Sequence, residues 1–112
     1  NNAYTIARYD EKLGHIIRSN WEREFAEDLI GLGIDYIYEP KRFDLKDCYF
    51  TPDFYLPEFN CYVEIVGVFR SKKIEKLNKF KKIYSDTELF VLTKINKKDS
   101  LIQKFMTQME VM

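Results

Sequence analysis

The sequence predicts a mixed α/β (α+β) domain with a largely apolar central sheet flanked by helices. Two short, continuous apolar runs, 61–66 and 89–93, read as strands buried inside a sheet. Three longer segments, 19–32, 72–84 and 99–110, place apolar residues at helical spacing. A length of 112 residues with 46% hydrophobic content suits one small domain with one core, spanning 1–112.

Residues 1–17 give a weak signal: Tyr4, Ile6 and Ala7 form a short apolar stretch, Asp10 to Gly14 a turn, and His15-Ile16-Ile17-Arg18 leads into the first helix. His15 is the sole histidine. Its side chain suits proton transfer near neutral pH, but a lone histidine is more often structural. The helix from Ser19 to Leu32 opens on a capping box, Ser19 with Glu22, and closes at Gly33. Trp21, Phe25, Ala26, Leu29, Ile30 and Leu32 define its apolar arc, and Glu22 falls near the middle of it while Glu24, Glu27 and Asp28 lie outside. A strand follows over Ile34–Glu39, then Pro40-Lys41-Arg42 and a polar connection from Phe43 to Cys48.

From Tyr49 to Gly67 the chain reads as a hairpin. Phe50, Phe54, Tyr55 and Leu56 form one strand, Pro57, Glu58 and Asn60 the turn, and Cys61–Val66 the second strand. Alternation puts Tyr62, Glu64 and Val66 on one face and Cys61, Val63 and Ile65 on the other. A second helix spans Lys72–Tyr84, with Ile74, Leu77, Phe80 and Tyr84 facing the sheet and lysines on the remainder. Leu89–Thr93 is a buried strand. The last helix, from Asp99 or Ser100 to Glu110, carries a stripe of Leu101, Ile102, Phe105, Met106 and Met109, which reads as core or interface.

Three acids stand where apolar residues are expected. An ionised carboxylate buried without a partner costs several kcal/mol or more, on the order of ~2–7 even for a neutral polar group. Glu64 sits inside an apolar strand, Asp53 between Pro52 and Phe54, and Glu22 in an apolar arc. Taken singly, each is explained by a hydrogen bond or an ion pair. Taken together, Asp53 and Glu64 on adjacent strands of one hairpin point to a shared divalent cation.

Thr51-Pro52-Asp53-Phe54-Tyr55-Leu56-Pro57, followed by Tyr62-Val63-Glu64-Ile65-Val66-Gly67, resembles the core motif of the PD-(D/E)XK nuclease superfamily. Arg18-Ser19-Asn20-Trp21-Glu22 is similar to the opening helix of its phage-encoded and homing members. The order helix, three strands, helix, strand, helix matches the restriction-endonuclease-like αβββαβ core, over about 18–93, with a further C-terminal helix. The resemblance implies a metal-dependent DNA endonuclease in which Glu22, Asp53, Glu64 and the Ile65 carbonyl bind Mg²⁺ or Mn²⁺, metals that favour hard oxygen ligands. One position departs from the motif: Val66 stands where the family has its lysine. Lys72 or Lys73, at the start of the next helix, are the candidates to replace it, with Arg70 a weaker one. Arg18, Lys41, Arg42, Arg70 and Lys76 are candidate contacts to double-stranded DNA.

Other readings stay open: a nuclease-like domain that binds nucleic acid without cutting it, a DNA repair or junction-resolving nuclease, and a small interaction module with ion-paired acids. Net charge is zero, but residues 1–69 carry 7 basic and 13 acidic side chains and residues 70–112 carry 11 and 5; the asymmetry is open to two readings, a local basic surface that meets phosphates or, the more common case for charge alone, an ordinary lysine-rich solvated face. No apolar run approaches the ~20 residues of a membrane span, and no signal peptide is evident. Cys48 and Cys61 lack zinc-ligand spacing and read as reduced, in a cytoplasmic protein, the host cytoplasm if phage-encoded. The chain opens on Asn1 rather than Met, which suggests a fragment or a processed chain, so that any DNA-recognition domain could be missing from it; a homodimer is also left open.

Overall fold

The computed structural model describes residues 3–110. The chain opens with an antiparallel ribbon, β1 (Ala3–Asp10) and β2 (His15–Ser19). The turn expected from Asp10 to Gly14 joins them: Leu13 N–H donates to Asp10 Oδ1 at 2.9 Å, and Gly14 takes φ +80°, a conformation open to glycine. The flanking strands go beyond the sequence expectation, which has only a weak apolar stretch and a helix lead-in here.

Helix α1 (Asn20–Gly31) starts where Ser19 accepts from the Glu22 N–H at 3.1 Å. It ends in a left-handed Gly33, φ +71°, with Ile34 N–H returning to the Leu29 carbonyl at 2.9 Å. Phe25, Ala26 and Leu29 of the predicted arc are buried; Ile30 and Leu32 are exposed instead. Ile30 lies at the margin of the arc, and Leu32 is past the last helical residue, where the chain turns away.

Four strands make the central sheet in the order β3 (Ile37–Tyr38), β6 (Phe54–Leu56), β7 (Cys61–Ile65), β8 (Leu89–Leu92), while β4 (Phe43–Asp44) and β5 (Tyr49–Phe50) form a separate small ribbon. The pairs β3–β6 and β6–β7 are antiparallel and β7–β8 is parallel. A parallel neighbour needs a crossover, and helix α2 (Ser71–Ile83) supplies it. The turn between β6 and β7 is a short 3-10 segment, Pro57–Phe59, followed by a left-handed Asn60 that accepts from the Tyr55 hydroxyl at 2.8 Å. Helix α3 (Leu101–Glu110) closes the fold.

Two expectations need correction here. Phe50 and Phe54–Leu56 belong to different strands, because Pro52 has no N–H to continue a ladder and the chain bends at Thr51–Asp53. The connection from Phe43 to Cys48 is likewise not a polar loop: Phe43 and Leu45 are buried and β4 pairs with β5.

Each face of the sheet has its own core. Val63, Ile65, Phe54, Phe90 and Leu92 pack against Phe25 and Leu29 of α1 and Leu101 and Phe105 of α3. On the opposite side Val66 joins Leu77 and Phe80 of α2 and Phe43, Leu45 and Phe50 of the ribbon region. Burying each such side chain contributes about 1.5–3 kcal/mol, so both helix layers are firmly held. The alternation predicted for β7 is therefore observed. Ile74 is exposed rather than packed, since it lies roughly 90° from the centre of the buried arc of α2 at ~100° per residue.

Candidate active site

The bend that separates β5 from β6 delivers Asp53 to the end of the sheet. Continuing the β6–β7 register one step past Phe54↔Val63 sets Asp53 opposite Glu64. The two acids are latched through backbone amides: Asp53 N–H donates to Glu64 Oε1 at 3.1 Å, and Ile65 N–H donates to Asp53 Oδ2 at 2.8 Å. Glu64 is only 3% exposed. Glu22, in the first turn of α1 and 9% exposed, receives a short hydrogen bond from the Tyr38 hydroxyl.

All three carboxyls hold protons more readily than exposed ones. Burial is the largest cause in each case. For Asp53 the neighbouring charges of Glu64 and then Glu22 raise it further, well above the ordinary value, and the Ile65 amide only partly offsets them. For Glu64, Lys73 pulls the other way. For Glu22, hydrogen bonds from Tyr38, Ser19 and the Arg18 backbone do so. Tyr38 in turn keeps its proton strongly, through burial and its bond to Glu22.

Lys73 Nζ lies 2.6 Å from Glu64 Oε2. Thus the ammonium of the first turn of α2 reaches the acid of β7, while Val66, at the motif position of the lysine, is buried beneath the same helix. Lys72 is exposed and does not make this contact.

Beside the acids opens a cavity of about 570 Å³, lined by Glu22, Ser19 and Ile65, by the loop residues Gly67 and Val68, and by Arg18, Arg70, Lys72, Lys73 and Lys76. Asp53 and Glu64 stand behind this lining, held by Ile65 and Lys73. Of the predicted DNA contacts, Arg18, Arg70 and Lys76 reach the cavity. Arg18 also pairs with Glu39 at 2.6 Å. Lys41 and Arg42 do not reach it; they lie over the rings of Phe43 and Tyr49, at 4.7 and 4.3 Å, because the ribbon carries them to another part of the surface. Glu24 is likewise elsewhere, paired with Lys94 at 2.6 Å.

Opposed carboxyls with raised proton affinity suit a hard dication, whose double charge can replace the protons. Among the described residues, however, no three His, Cys, Asp or Glu side chains are gathered as a ready metal-binding group. Two of the acids have side-chain partners: Lys73 donates to Glu64, and Tyr38 to Glu22.

Sequence reasoning missed Tyr38. A signal existed, since a buried phenol needs a hydrogen-bond partner and a buried acid needs a donor. His15 is tied into the fold: its Nδ1 donates to the Ile16 carbonyl at 2.7 Å, Nε2 meets the Tyr36 hydroxyl at 2.7 Å, and the ring stacks on Tyr38 at 4.7 Å. It buttresses the tyrosine that holds Glu22. Among the described residues no helix is long and apolar enough to cross a membrane. No family model, curated protein or solved structure matches this chain.

Proposed function

We propose that this domain is a metal-dependent DNA endonuclease, similar in its catalytic residues to the phage-encoded and homing members of the PD-(D/E)XK superfamily. The observation that carries this reading is the contact of Lys73 with Glu64, which supplies an ammonium at the motif's acid although Val66 occupies the motif's lysine position. Asp53, Glu64 and the Ile65 carbonyl would hold Mg²⁺ or Mn²⁺, with Glu22 on the same wall. A bound dication supplies Lewis acidity that makes water more acidic and stabilises charge on phosphate oxygens.

The chain's own groups do the rest. Arg18, Arg70, Lys72 and Lys76 line the cavity and bind phosphate oxygens. Lys73 leaves Glu64 for a water or a phosphate oxygen, positioned by a helix whose Leu77 and Phe80 are buried. Tyr38 keeps Glu22 oriented toward the cavity, and the Ile65 amide keeps Asp53 on the strand end.

A second reading rests on the same pair: Lys73 already compensates Glu64, so the domain binds DNA without cutting it. Cleavage of supercoiled plasmid with Mg²⁺, Mn²⁺ or EDTA separates the two. Nicked or linear product with either metal and none in EDTA is expected. Retardation of DNA with intact plasmid under every condition would overturn the endonuclease reading.

A further inference from the structure

Val68 and Phe69, in the loop between β7 and α2, are 61% and 46% exposed, although the residues just before them, Ile65 and Val66, are buried. Both ends of this loop are fixed. Val66 N–H bonds to the Leu92 carbonyl at 2.9 Å, and Ile74 N–H bonds to the Arg70 carbonyl at 3.0 Å at the first turn of α2. Within it, Arg70 N–H returns to the Val68 carbonyl at 3.2 Å. Two apolar side chains are thus presented to water on a short, anchored turn.

Val68 lines the same cavity as Arg70, Lys72 and Lys76, together with Arg18 and Lys73, which are paired with Glu39 and Glu64, and one lining carboxylate, that of Glu22. Polyanionic backbone and flat apolar faces occur side by side in one class of partner, nucleic acid. We infer that the Val68-Phe69 loop is a wedge that enters a base step of bound duplex DNA while the surrounding cations hold its phosphates, so that a locally unstacked duplex is the preferred substrate. This inference rests on the nuclease reading for its choice of DNA. Unstacking a step is unfavourable, and an inserted apolar side chain offsets it where basic groups grip the bent backbone.

The test uses the full chain in EDTA, where hydrolysis does not intervene, and a duplex carrying 2-aminopurine at successive steps. Wild type should raise the fluorescence at one step. Phe69→Ala should abolish that rise and weaken binding to the intact duplex about tenfold, with little loss on a duplex already unstacked by a mismatch. Phe69→Leu should keep most of both effects. Because Phe69 is exposed, melting temperatures should be alike and serve as the folding control. DNA binding without a fluorescence rise, or an unaltered Phe69→Ala, would overturn the wedge. Capture of wild type but not Phe69→Ala by phosphatidylserine vesicles, with DNA binding indifferent to the substitution, would replace DNA with a membrane surface. A wedge signal together with uncut plasmid in both metals would refute only the endonuclease reading; cleavage without a wedge signal would refute only the wedge.

Discussion

Asp53 is raised above an ordinary carboxyl first by burial and then by the charges of Glu64 and Glu22, and that ordering has thermodynamic consequences. In EDTA the folded state binds protons more tightly than the unfolded state, whose carboxyls titrate near ~4. Stability from this source is therefore greatest at low pH and is lost as pH rises from there through the elevated folded values. Melting temperature in EDTA should fall as pH rises above the ordinary carboxyl range; Asp53→Asn should flatten the fall, and Mg²⁺ should raise the melting temperature where the carboxyls have lost their protons. A pH-independent melt in the wild type would remove this account. Lys73 and Lys72 make a second comparison. Lys73→Ala should lower single-turnover cleavage about a hundredfold or more, the effect of losing one transition-state contact. Lys72→Ala should instead weaken DNA binding and reduce its salt slope by about one. Equal effects on rate would mean that the contact to Glu64 has no part in turnover.

At the level of helices and strands, Ser19 couples fold to site: it caps α1 by accepting from the Glu22 N–H, and its hydroxyl also favours the charged form of the Glu22 carboxyl. Ser19→Ala should destabilise the protein by about 1 kcal/mol and also lower activity, whereas a cap variant such as Ser19→Gly should recover most stability but not activity. Denaturant melts alongside cleavage rates check both halves. The long periodic helices and the apolar strands β7 and β8 were legible in the sequence, because period and apolarity report directly on burial. Glu22, Asp53 and Glu64 were legible for the complementary reason, as acids set among residues that bury. The split at Pro52 was harder to read, since Phe50 and Phe54 have the composition of one strand and only the missing N–H argues otherwise. The ribbon β4–β5 escaped notice because Asp44, Lys46 and Asp47 mask the alternation of Phe43 and Leu45. Choosing Lys73 over Lys72 required the phase of α2 relative to β7, which no sequence pattern specifies. That Lys41 and Arg42 lie away from the cavity was hidden for the same reason, since a basic pair in a loop carries no direction.

In the assembled domain, the acidic first part of the chain and the basic second part meet at the cavity, where Glu22 faces Lys72, Lys73 and Lys76. The net charge of zero is thus compatible with a locally cationic surface. Replacing Arg70 or Lys76 by Ala should each flatten the salt dependence of DNA affinity by about one unit, while Lys41→Ala and Arg42→Ala should leave it unchanged; titrations across salt concentrations check this, and equal slopes for all four would place the DNA elsewhere. The order of the strands bears on how such a domain folds. The β6–β7 hairpin closes over a short stretch of chain and needs only local contacts, whereas β8 docks beside β7 only after the α2 crossover has been made, a non-local step that is intrinsically slow. Asp53 and Glu64 are brought together by the hairpin, but Lys73 arrives with the crossover. Early folding therefore meets two opposed acids before their compensating ammonium is in place. Refolding should thus be faster when protons or a dication take the place of the absent lysine, which stopped-flow refolding across pH and Mg²⁺ concentration checks.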